Sequence, residues 1–365
     1  HLVSRVFRGS FCHGRLEMSS DSFKGSMIQQ GMNAWAIPAN YLLARNGDLC
    51  DKQAMNFELM LIIAPIFLLI ILGHGLRRGG IPSFEFWNLN DKLVYWVLFP
   101  ALLFDVMSRL DLSSEQLGDF VIVIYAGLSA GLLFALLVGW LAGFDNPLLT
   151  SLLQGSARHN TFIALAIAER VFGAEGLAYA TLIVALLVPV TNVAIVTSMV
   201  TLLHQKKGGQ LAGAIFKDLA RNPLLLSIAA GFAVNFAGIG PIPVVNDLAS
   251  ILAAAALPIV LMCVGANIRV RAMVISALPI GLAIIGKMVL FPLAIAIAAL
   301  AVGMEPTQAL VAMIFGAVPT AAASYSLARA MGGDAPAMAG IVTIQTTVSF
   351  LTLPLTLMLA EAFLR

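Results

Sequence analysis

The feature that most constrains this chain is a set of long runs without a charged residue. The 25 residues between Asp119 and Asp145 are all uncharged, and so are the 26 residues between Asp334 and Glu361. Over all 365 residues, 60% are hydrophobic and only 11% are charged, whereas ordinary soluble domains are about a quarter charged. Such a chain cannot cover itself with water-facing side chains, so lipid must be its main solvent. This excludes a soluble globular enzyme and a disordered protein.

Net charge and cysteine content narrow the possibilities further. The formal net charge of +2 is small and predicts no nucleic-acid partner. The three cysteines, Cys12, Cys50 and Cys263, are odd in number and far apart, so they predict neither a disulfide framework nor a metal site. We expect no cofactor.

The apolar segments predict an all-α polytopic membrane protein. A helix that crosses the hydrocarbon core needs about 20 apolar residues, and ten segments meet this requirement. Their apolar runs are continuous and do not alternate, which favours helices over a barrel. The ten predicted spans are 58–76, 89–109, 118–142, 147–170, 176–200, 223–240, 246–268, 273–302, 307–329 and 336–361.

The first 54 residues differ from the rest. They contain six basic residues and no sustained apolar run, so they do not resemble a signal peptide. We interpret 1–54 as a non-membrane extension, and Met55, which directly precedes the first apolar segment, as a candidate native start. A genuine short arm outside the membrane is the alternative.

The distribution of Lys and Arg predicts the orientation. The loops on one side carry ten basic residues after the extension, and those on the other carry three: Arg109, Arg170 and Arg365. Cytoplasmic loops are enriched in Lys and Arg, so the first side, with the 201–222 loop, is predicted to be cytoplasmic and the membrane-domain termini to lie outside. Its basic residues are Arg77, Arg78, Lys92, Lys206, Lys207, Lys217, Arg221, Arg269, Arg271 and Arg329.

The two halves of the chain indicate an internal repeat. Asn88 precedes Pro100 by twelve residues, and Asn246 precedes Pro258 by the same number. Each half has five predicted spans, an odd number, so the second copy would be inverted with respect to the first. Chance similarity between apolar segments is the alternative. The predicted units are the 1–54 extension, a first repeat over 55–203, a loop over 204–222 and a second repeat over 223–365.

Predicted spans four and nine are interrupted in the middle, and their sequences align from Asn146 and from Glu305. The first interruption is GSARHNT over 155–161, and the second is GAVPT over 316–320. Non-helical backbone at this depth is tolerated only where protein or a polar cavity surrounds it. Paired interruptions in corresponding positions of two halves predict a transport site, and simple packing kinks are the alternative.

Three basic side chains lie near the middle of predicted spans. Arg158 and His159 are near the middle of span four, and Lys287 is near the middle of span eight. A buried cation costs at least about 2.5–3.5 kcal/mol on insertion scales. The acidic residues lie near span ends and supply no partner at mid-span, and Asp105 is expected to pair with Arg109 one turn away. We therefore predict a site for an anionic substrate, completed by polar groups at similar depth: Asn160, Thr161, Asn192, Thr320 and Gln345.

Other roles for these residues remain open. Lys287 would also be satisfied by backbone carbonyls or by snorkelling, and His159 would serve either as a plain hydrogen-bonded residue or as the carrier of a coupling proton. The GLAIIGKM sequence from Gly281 resembles a phosphate-binding loop but has methionine where Ser or Thr is needed. The GLSAG sequence around Ser129 matches a hydrolase elbow, although helix packing explains it better. An intramembrane hydrolase using Ser129 and His159, and a channel or sensor, are the alternatives to a carrier.

Several segments resemble the bacterial branch of the auxin efflux carrier family, which includes malate and malonate permeases and is related to plant PIN-type carriers. The resemblance covers roughly 57–361. The segments that carry it are YWVLFPALLF, GSARHNTFIALAIAERVFGAEGLAYA, LPIVLMCVGANI, GKMVLFPL and GAVPTAAASYSLARAMGGDAPAMAGIVTIQTTVSFLTLPL.

The resemblance implies a carrier of small organic anions in the bacterial inner membrane, not an enzyme, with ten helices in two inverted five-helix repeats. Spans four and nine would cross at Asn160-Thr161 and Pro319-Thr320. Spans one, two, six and seven would form a scaffold and homodimer surface, against which the rest moves as an elevator. Plant members have proline ahead of the first Asn-Thr, whereas this chain has Arg158-His159, which favours a small mono- or dicarboxylate over auxin.

Overall fold

The computed structural model describes residues 49–110, 114–203, 217, 220–268 and 277–364. All regular secondary structure in these ranges is helical, which confirms the all-α class. Residues 1–48 of the predicted extension, most of the predicted 204–222 loop, and Arg269, Arg271 and Arg365 lie outside the described ranges. The first helix begins at Leu49, upstream of Met55.

Thirteen α-helices lie in the described part of the chain, and two π-helical segments join four of them end to end. The π-helical segments are Val94–Leu98, between α2 and α3, and Gly286–Leu290, between α9 and α10. The α-helices are α1 (Leu49–Arg78), α2 (Phe84–Leu93), α3 (Phe99–Ser108), α4 (Ser114–Leu141), α5 (Asn146–Ala157), α6 (Thr161–Leu202), α7 (Pro223–Phe236), α8 (Val245–Ala266), α9 (Ala277–Ile285), α10 (Phe291–Val302), α11 (Pro306–Ala317), α12 (Ala323–Met331) and α13 (Ala335–Leu364).

Six helical stretches of the described chain are long and apolar enough to cross a membrane. One of them has 57 residues, and at 1.5 Å per residue it would measure roughly 85 Å, far more than one bilayer. It is divided by the break between α5 and α6 and by Gly173, whose φ of 66° interrupts α6, and it covers predicted spans four and five. The six stretches are Leu59–Arg78, Leu117–Leu141, Asn146–Leu202, Val245–Ala266, Ala277–Val302 and Ala335–Leu364.

The remaining three predicted spans do not form long uninterrupted apolar helices. Predicted span 89–109 consists of the end of α2, a π-helical segment and α3. Predicted span 223–240 contains the 14-residue α7, which at 1.5 Å per residue is only about 21 Å long. Predicted span 307–329 is divided between α11 and α12. The count of ten spans therefore stays a prediction.

The helices pack into two groups. In the first group, α1 packs along α8, and α3 packs along both α7 and α8. In the second group, α4 packs against α5 and α10, and α11 packs against α6, α10 and α13. Helices α9 and α12 contact this second group through α5 and α13.

Hydrogen bonds join the first helix group at both ends. At one end, the Asn246 amide donates to Asp105 (2.9 Å) and to Ser108 (2.8 Å), while Asp105 also forms the expected ion pair with Arg109 at 3.0 Å. At the other end, the Asn267 amide donates to Asp91 at 2.7 Å. These bonds attach α8 to α2 and α3 at opposite ends.

The hydrolase-like sequence is a helix-packing motif. A Cβ atom at Gly127 would collide with the Phe291 ring, and one at Gly131 with the carbonyl oxygen of Ser156. The two glycines thus let α4 approach α10 and α5 closely, whereas Ser129 between them is exposed.

Candidate functional site at the meeting of two interrupted helices

The two interruptions predicted from the sequence meet in the second helix group. Helix α5 ends at Ala157 and α6 begins at Thr161, while α11 ends at Ala317 and α12 begins at Ala323. The backbone N–H of Asn160 donates to the carbonyl oxygen of Pro319 at 2.8 Å. A direct backbone hydrogen bond therefore joins the two breaks.

Helices α5 and α11 have closely matching ends. Each has 12 residues and begins after a carboxylate, Asp145 or Glu305, that accepts a hydrogen bond from a backbone N–H three residues on, at 3.1 and 3.0 Å. Each ends at an extended residue: Arg158 has φ −73° and ψ 152°, and Val318 has φ −67° and ψ 150°. Asp145 is therefore the structural counterpart of Glu305. The sequence alignment paired Glu305 with Asn146, and so Pro306 with Pro147. In the structure the two helices begin after their capping carboxylates, which are one residue apart in that alignment.

Gln345 of α13 links the two interruptions. The last carbonyls of a helix have no partner within it, and the Gln345 amide nitrogen donates to the carbonyls of Gly155 (2.9 Å) and Ala283 (3.0 Å). Its oxygen accepts from the backbone N–H of Thr320 at 2.9 Å, and the Thr320 hydroxyl donates to the carbonyl of Gln154 at 3.1 Å. Gln345 and Thr320 therefore hold the crossing together.

Lys287 binds a backbone carbonyl at the C-terminal end of α11. Its side chain is fully buried, and Nζ donates to the carbonyl oxygen of Phe315 at 2.7 Å. The same nitrogen lies 3.9 Å from the centroid of the Phe291 ring. A cation at a helix C-terminus complements the helix dipole, and the ring adds a cation–π contact. Of the roles left open for Lys287, pairing with a backbone carbonyl is the one that the structure contains.

A cavity of about 650 Å³ lies beside the crossing. Five of the predicted site residues line it, namely Arg158, His159, Asn160, Thr161 and Asn192. The other four are not among its lining residues: Thr320, Gln345 and Lys287 bind backbone groups of the interrupted helices as described above, and Pro319 contributes its carbonyl to the crossing.

Arg158 places a positive charge in the part of the cavity beside the crossing. The side chain is half-buried, and Nη2 donates to the Asn192 amide oxygen at 3.2 Å. Within the described ranges, no carboxylate forms an ion pair with it. Helix α6 begins beside it at Thr161, where the Asn160 side chain accepts from the N–H of Ile163 at 3.2 Å. A guanidinium and a helix N-terminus thus lie at one place, an arrangement that favours an anion.

The cavity extends to the helix ends on the basic side of the protein. Its lining includes Lys92 at the end of α2 and Asn267 at the end of α8. Asn267 accepts a hydrogen bond from Arg77, at 3.0 Å, and both Arg77 and Lys92 belong to the predicted cytoplasmic side. Asp91 also lines the cavity. Our sequence analysis did not single out this carboxylate, although it stands in the polar triplet 90–92 just before an apolar run.

His159 is an unusually isolated polar group. It is only 5% exposed, and its ring lies edge-on to Phe315 with centroids 5.6 Å apart. Neither ring nitrogen has a hydrogen-bond partner among the residues that the structure describes. Ser129 is exposed and does not line the cavity with His159, so the hydrolase alternative is not favoured.

The fold is that of a polytopic membrane protein, and its candidate site is a cavity lined by Arg158. A family model described as membrane transport protein matches residues 59–357. The chain belongs to this family of transporters, the auxin efflux carrier family, which confirms the resemblance seen in the sequence.

Two archaeal proteins are similar to most of the chain. An uncharacterized transporter of Methanothermobacter thermautotrophicus is 23% identical over 297 residues, which are 80% of this chain and 95% of that protein. An uncharacterized transporter of Methanocaldococcus jannaschii is 22% identical over 306 residues, which are 80% of this chain and 96% of that protein. The similarity thus extends over nearly the whole length of both relatives.

Proposed function

We propose that this protein carries small organic anions, mono- or dicarboxylates such as malate or malonate, across the bacterial inner membrane. The observation that carries the proposal is Arg158, a cation without a described carboxylate partner, beside the N-terminus of α6 in a cavity at the crossing. Holding a cation at this depth is unfavourable, and a bound carboxylate offsets that cost. A guanidinium binds a carboxylate through two parallel hydrogen bonds, so Arg158 suits a carboxylate substrate.

We also propose ten spans in two inverted five-helix repeats, over 55–203 and 223–365. The matching lengths and ends of α5 and α11 support this arrangement, because these helices are the first halves of the fourth and ninth proposed spans. The first helix group would be the scaffold, and the second group, which contains the crossing, would move past it as an elevator. A homodimer through the scaffold remains a prediction, which mass measurement of the purified carrier would test.

In this arrangement the described conformation is open toward the cytoplasm. The support is the cavity lining, which runs from the crossing to the basic ends of α2 and α8. A membrane potential contributes about 2.3 kcal/mol per charge per 100 mV, so a negative interior favours export of an anion even without a coupling ion. Movement of the second helix group would then expose Arg158 to the outside.

Transport by proteoliposomes that contain the purified protein tests the proposal. We expect Arg158→Gln to reduce the affinity for a radiolabelled dicarboxylate roughly 30–150-fold, because the charge-assisted hydrogen bonds of the guanidinium contribute about 2–3 kcal/mol. Arg158→Lys should retain part of the affinity, since it keeps the charge but loses the fork. Arg109→Gln is the matched control, because Arg109 is 47% exposed and pairs only with Asp105 among the described carboxylates. Equal transport by Arg158→Gln and the wild type would contradict the assignment.

Lys287 should behave differently from Arg158. We expect Lys287→Met to lower the melting temperature by several degrees, because it leaves the buried carbonyl oxygen of Phe315 without its hydrogen bond from Nζ, which costs about 1–3 kcal/mol. The affinity should fall less than tenfold, since Lys287 acts on the anion only through its field. Measuring both variants ranks the two cations, and a larger loss of affinity for Lys287→Met than for Arg158→Gln would reverse their proposed roles.

Counterflow distinguishes a carrier from a channel or sensor. Unlabelled anion inside the vesicles should accelerate entry of labelled anion, because the binding site would return to the outside with an unlabelled anion bound. A channel would show currents without this exchange.

A further inference from the structure

Two threonines in the described helices differ from their neighbours in how their hydroxyl groups are used. Thr191 of α6 is 3% exposed and Thr343 of α13 is 7% exposed. Neither hydroxyl oxygen has a hydrogen-bond partner within the described part of the chain. Six other threonines of α6 and α13 donate to the carbonyl four residues earlier, as hydroxyls in membrane helices commonly do: Thr181, Thr201, Thr346, Thr347, Thr352 and Thr356.

Both unusual threonines line the cavity that contains Arg158. Thr191 directly precedes Asn192, which binds the guanidinium, and Thr343 is two residues before Gln345, which links the crossing. His159, with its two unpaired ring nitrogens, lines the same cavity. Three polar side chains from three parts of the chain thus line one cavity. Each is more than nine-tenths buried and lacks a hydrogen-bond partner among the described residues.

Unpaired buried polar groups are uncommon because they are unfavourable. They are retained where a ligand supplies the missing partner, and they then discriminate strongly against ligands that cannot do so. Arg158 and the N-terminus of α6 account for one carboxylate. The two hydroxyls and the imidazole would remain unpaired around an anion whose other end is an alkyl group.

On the basis of the proposed anion-carrier function, we propose that Thr191, Thr343 and His159 form a second polar subsite that determines substrate specificity. The transported anion bears a hydroxyl group as well as its carboxylate, as malate does, and this subsite binds the hydroxyl. Simple alkyl carboxylates are poor substrates because they fill the cavity without pairing these side chains.

Matched acids test this specificity without changing net charge. Lactate and isobutyrate differ only in a hydroxyl against a methyl group, and malate and methylsuccinate form the corresponding dianion pair. At pH 7, binding to the purified protein is measured by thermal shift and by competition with transport. We expect the wild type to prefer the hydroxy acid of at least one pair by about tenfold or more.

Valine substitution, which replaces the hydroxyl by a methyl group, identifies the residues. Thr191→Val and Thr343→Val should each reduce the hydroxy-acid preference at least threefold, while the affinity for the methyl analogue stays constant. Thr346→Val is the matched control, because Thr346 is equally buried on α13 and donates to Val342 at 2.7 Å. The wild-type preference remains a test even where a valine variant fails to fold.

The outcomes separate the two proposals. Equal affinity of the wild type for both members of each pair, with binding that still depends on Arg158, overturns the second subsite and leaves the anion carrier intact. An unchanged preference in folded valine variants removes the threonines from the subsite. If none of the four acids binds, the proposed function fails, and the subsite fails with it.

Discussion

The Gln345→Leu variant is expected to lose most of its folded population. Leucine is similar in size but cannot pair the three backbone groups that Gln345 binds, namely the carbonyls of Gly155 and Ala283 and the N–H of Thr320. Gln345 is fully buried, so water does not readily replace these bonds. Each unpaired group costs about 1–3 kcal/mol, and the sum approaches the roughly 5–15 kcal/mol of a whole domain.

The melting temperature in detergent and the monodisperse fraction measure this loss. Gln308→Leu is the matched control, because Gln308 is 3% exposed and its amide has one long contact, 3.5 Å to the Tyr179 hydroxyl. Gln345→Glu should be nearly as harmful, since a carboxylate cannot donate to the two carbonyls. A wild-type melting temperature for Gln345→Leu would show that the crossing is stabilised elsewhere.

The sequence predicted the features that depend on local chemistry. Both interruptions lie within their predicted segments, or within two residues of them. The second contains Pro319, which disfavours helix, and the first contains Asn160, a residue type that favours the N-cap position. The pair of Asp105 and Arg109 was predicted because residues four apart are neighbours on a helix. The apolar runs predicted the helical class in the same way, since lipid requires backbone groups to pair within the segment.

Features that depend on distant parts of the chain were not predictable. Gln345 binds Gly155 across 190 positions, and no local pattern announces such a contact. Lys287 at mid-span indicates equally a ligand for an anion or a cap for a helix, and no local pattern shows that the carbonyl oxygen of Phe315 lies within its reach. Thr191 and Thr343 gave no signal, because a threonine in a membrane helix ordinarily bonds to its own helix.

The two π-helical segments had a sequence signal that was missed. The same tetrapeptide, VLFP, stands across the C-terminal end of each segment, over 97–100 and 289–292. In each case the phenylalanine N–H donates to the carbonyl five residues earlier, that of Val94 or of Gly286. The proline that follows lacks an N–H and disturbs the preceding turn, which accounts for the local change of register. The second segment contains Lys287, in keeping with the frequent occurrence of π-helical turns at functional positions.

Valine in place of Gly265 is expected to be the most disruptive change in the first helix group. A Cβ atom at Gly265 would overlap the carbonyl oxygen of Ile70, and one at Gly73 would overlap that of Met262. The backbones of α1 and α8 are therefore in contact at these glycines. Any side chain forces the helices apart, and because rigid backbone must move, the loss should exceed the roughly 1–3 kcal/mol of ordinary overpacking.

Gly281→Val is the control for this substitution, because Gly281 lies within α9 and has open space where a Cβ atom would be. We expect Gly265→Val to lower the melting temperature by more than ten degrees and Gly281→Val to change it little. The comparison also bears on the proposed elevator mechanism, in which the second helix group would slide against a rigid α1–α8 pair. A Gly265→Val protein with wild-type melting would show that these helices are not closely apposed, and the division into scaffold and elevator would lose its physical basis.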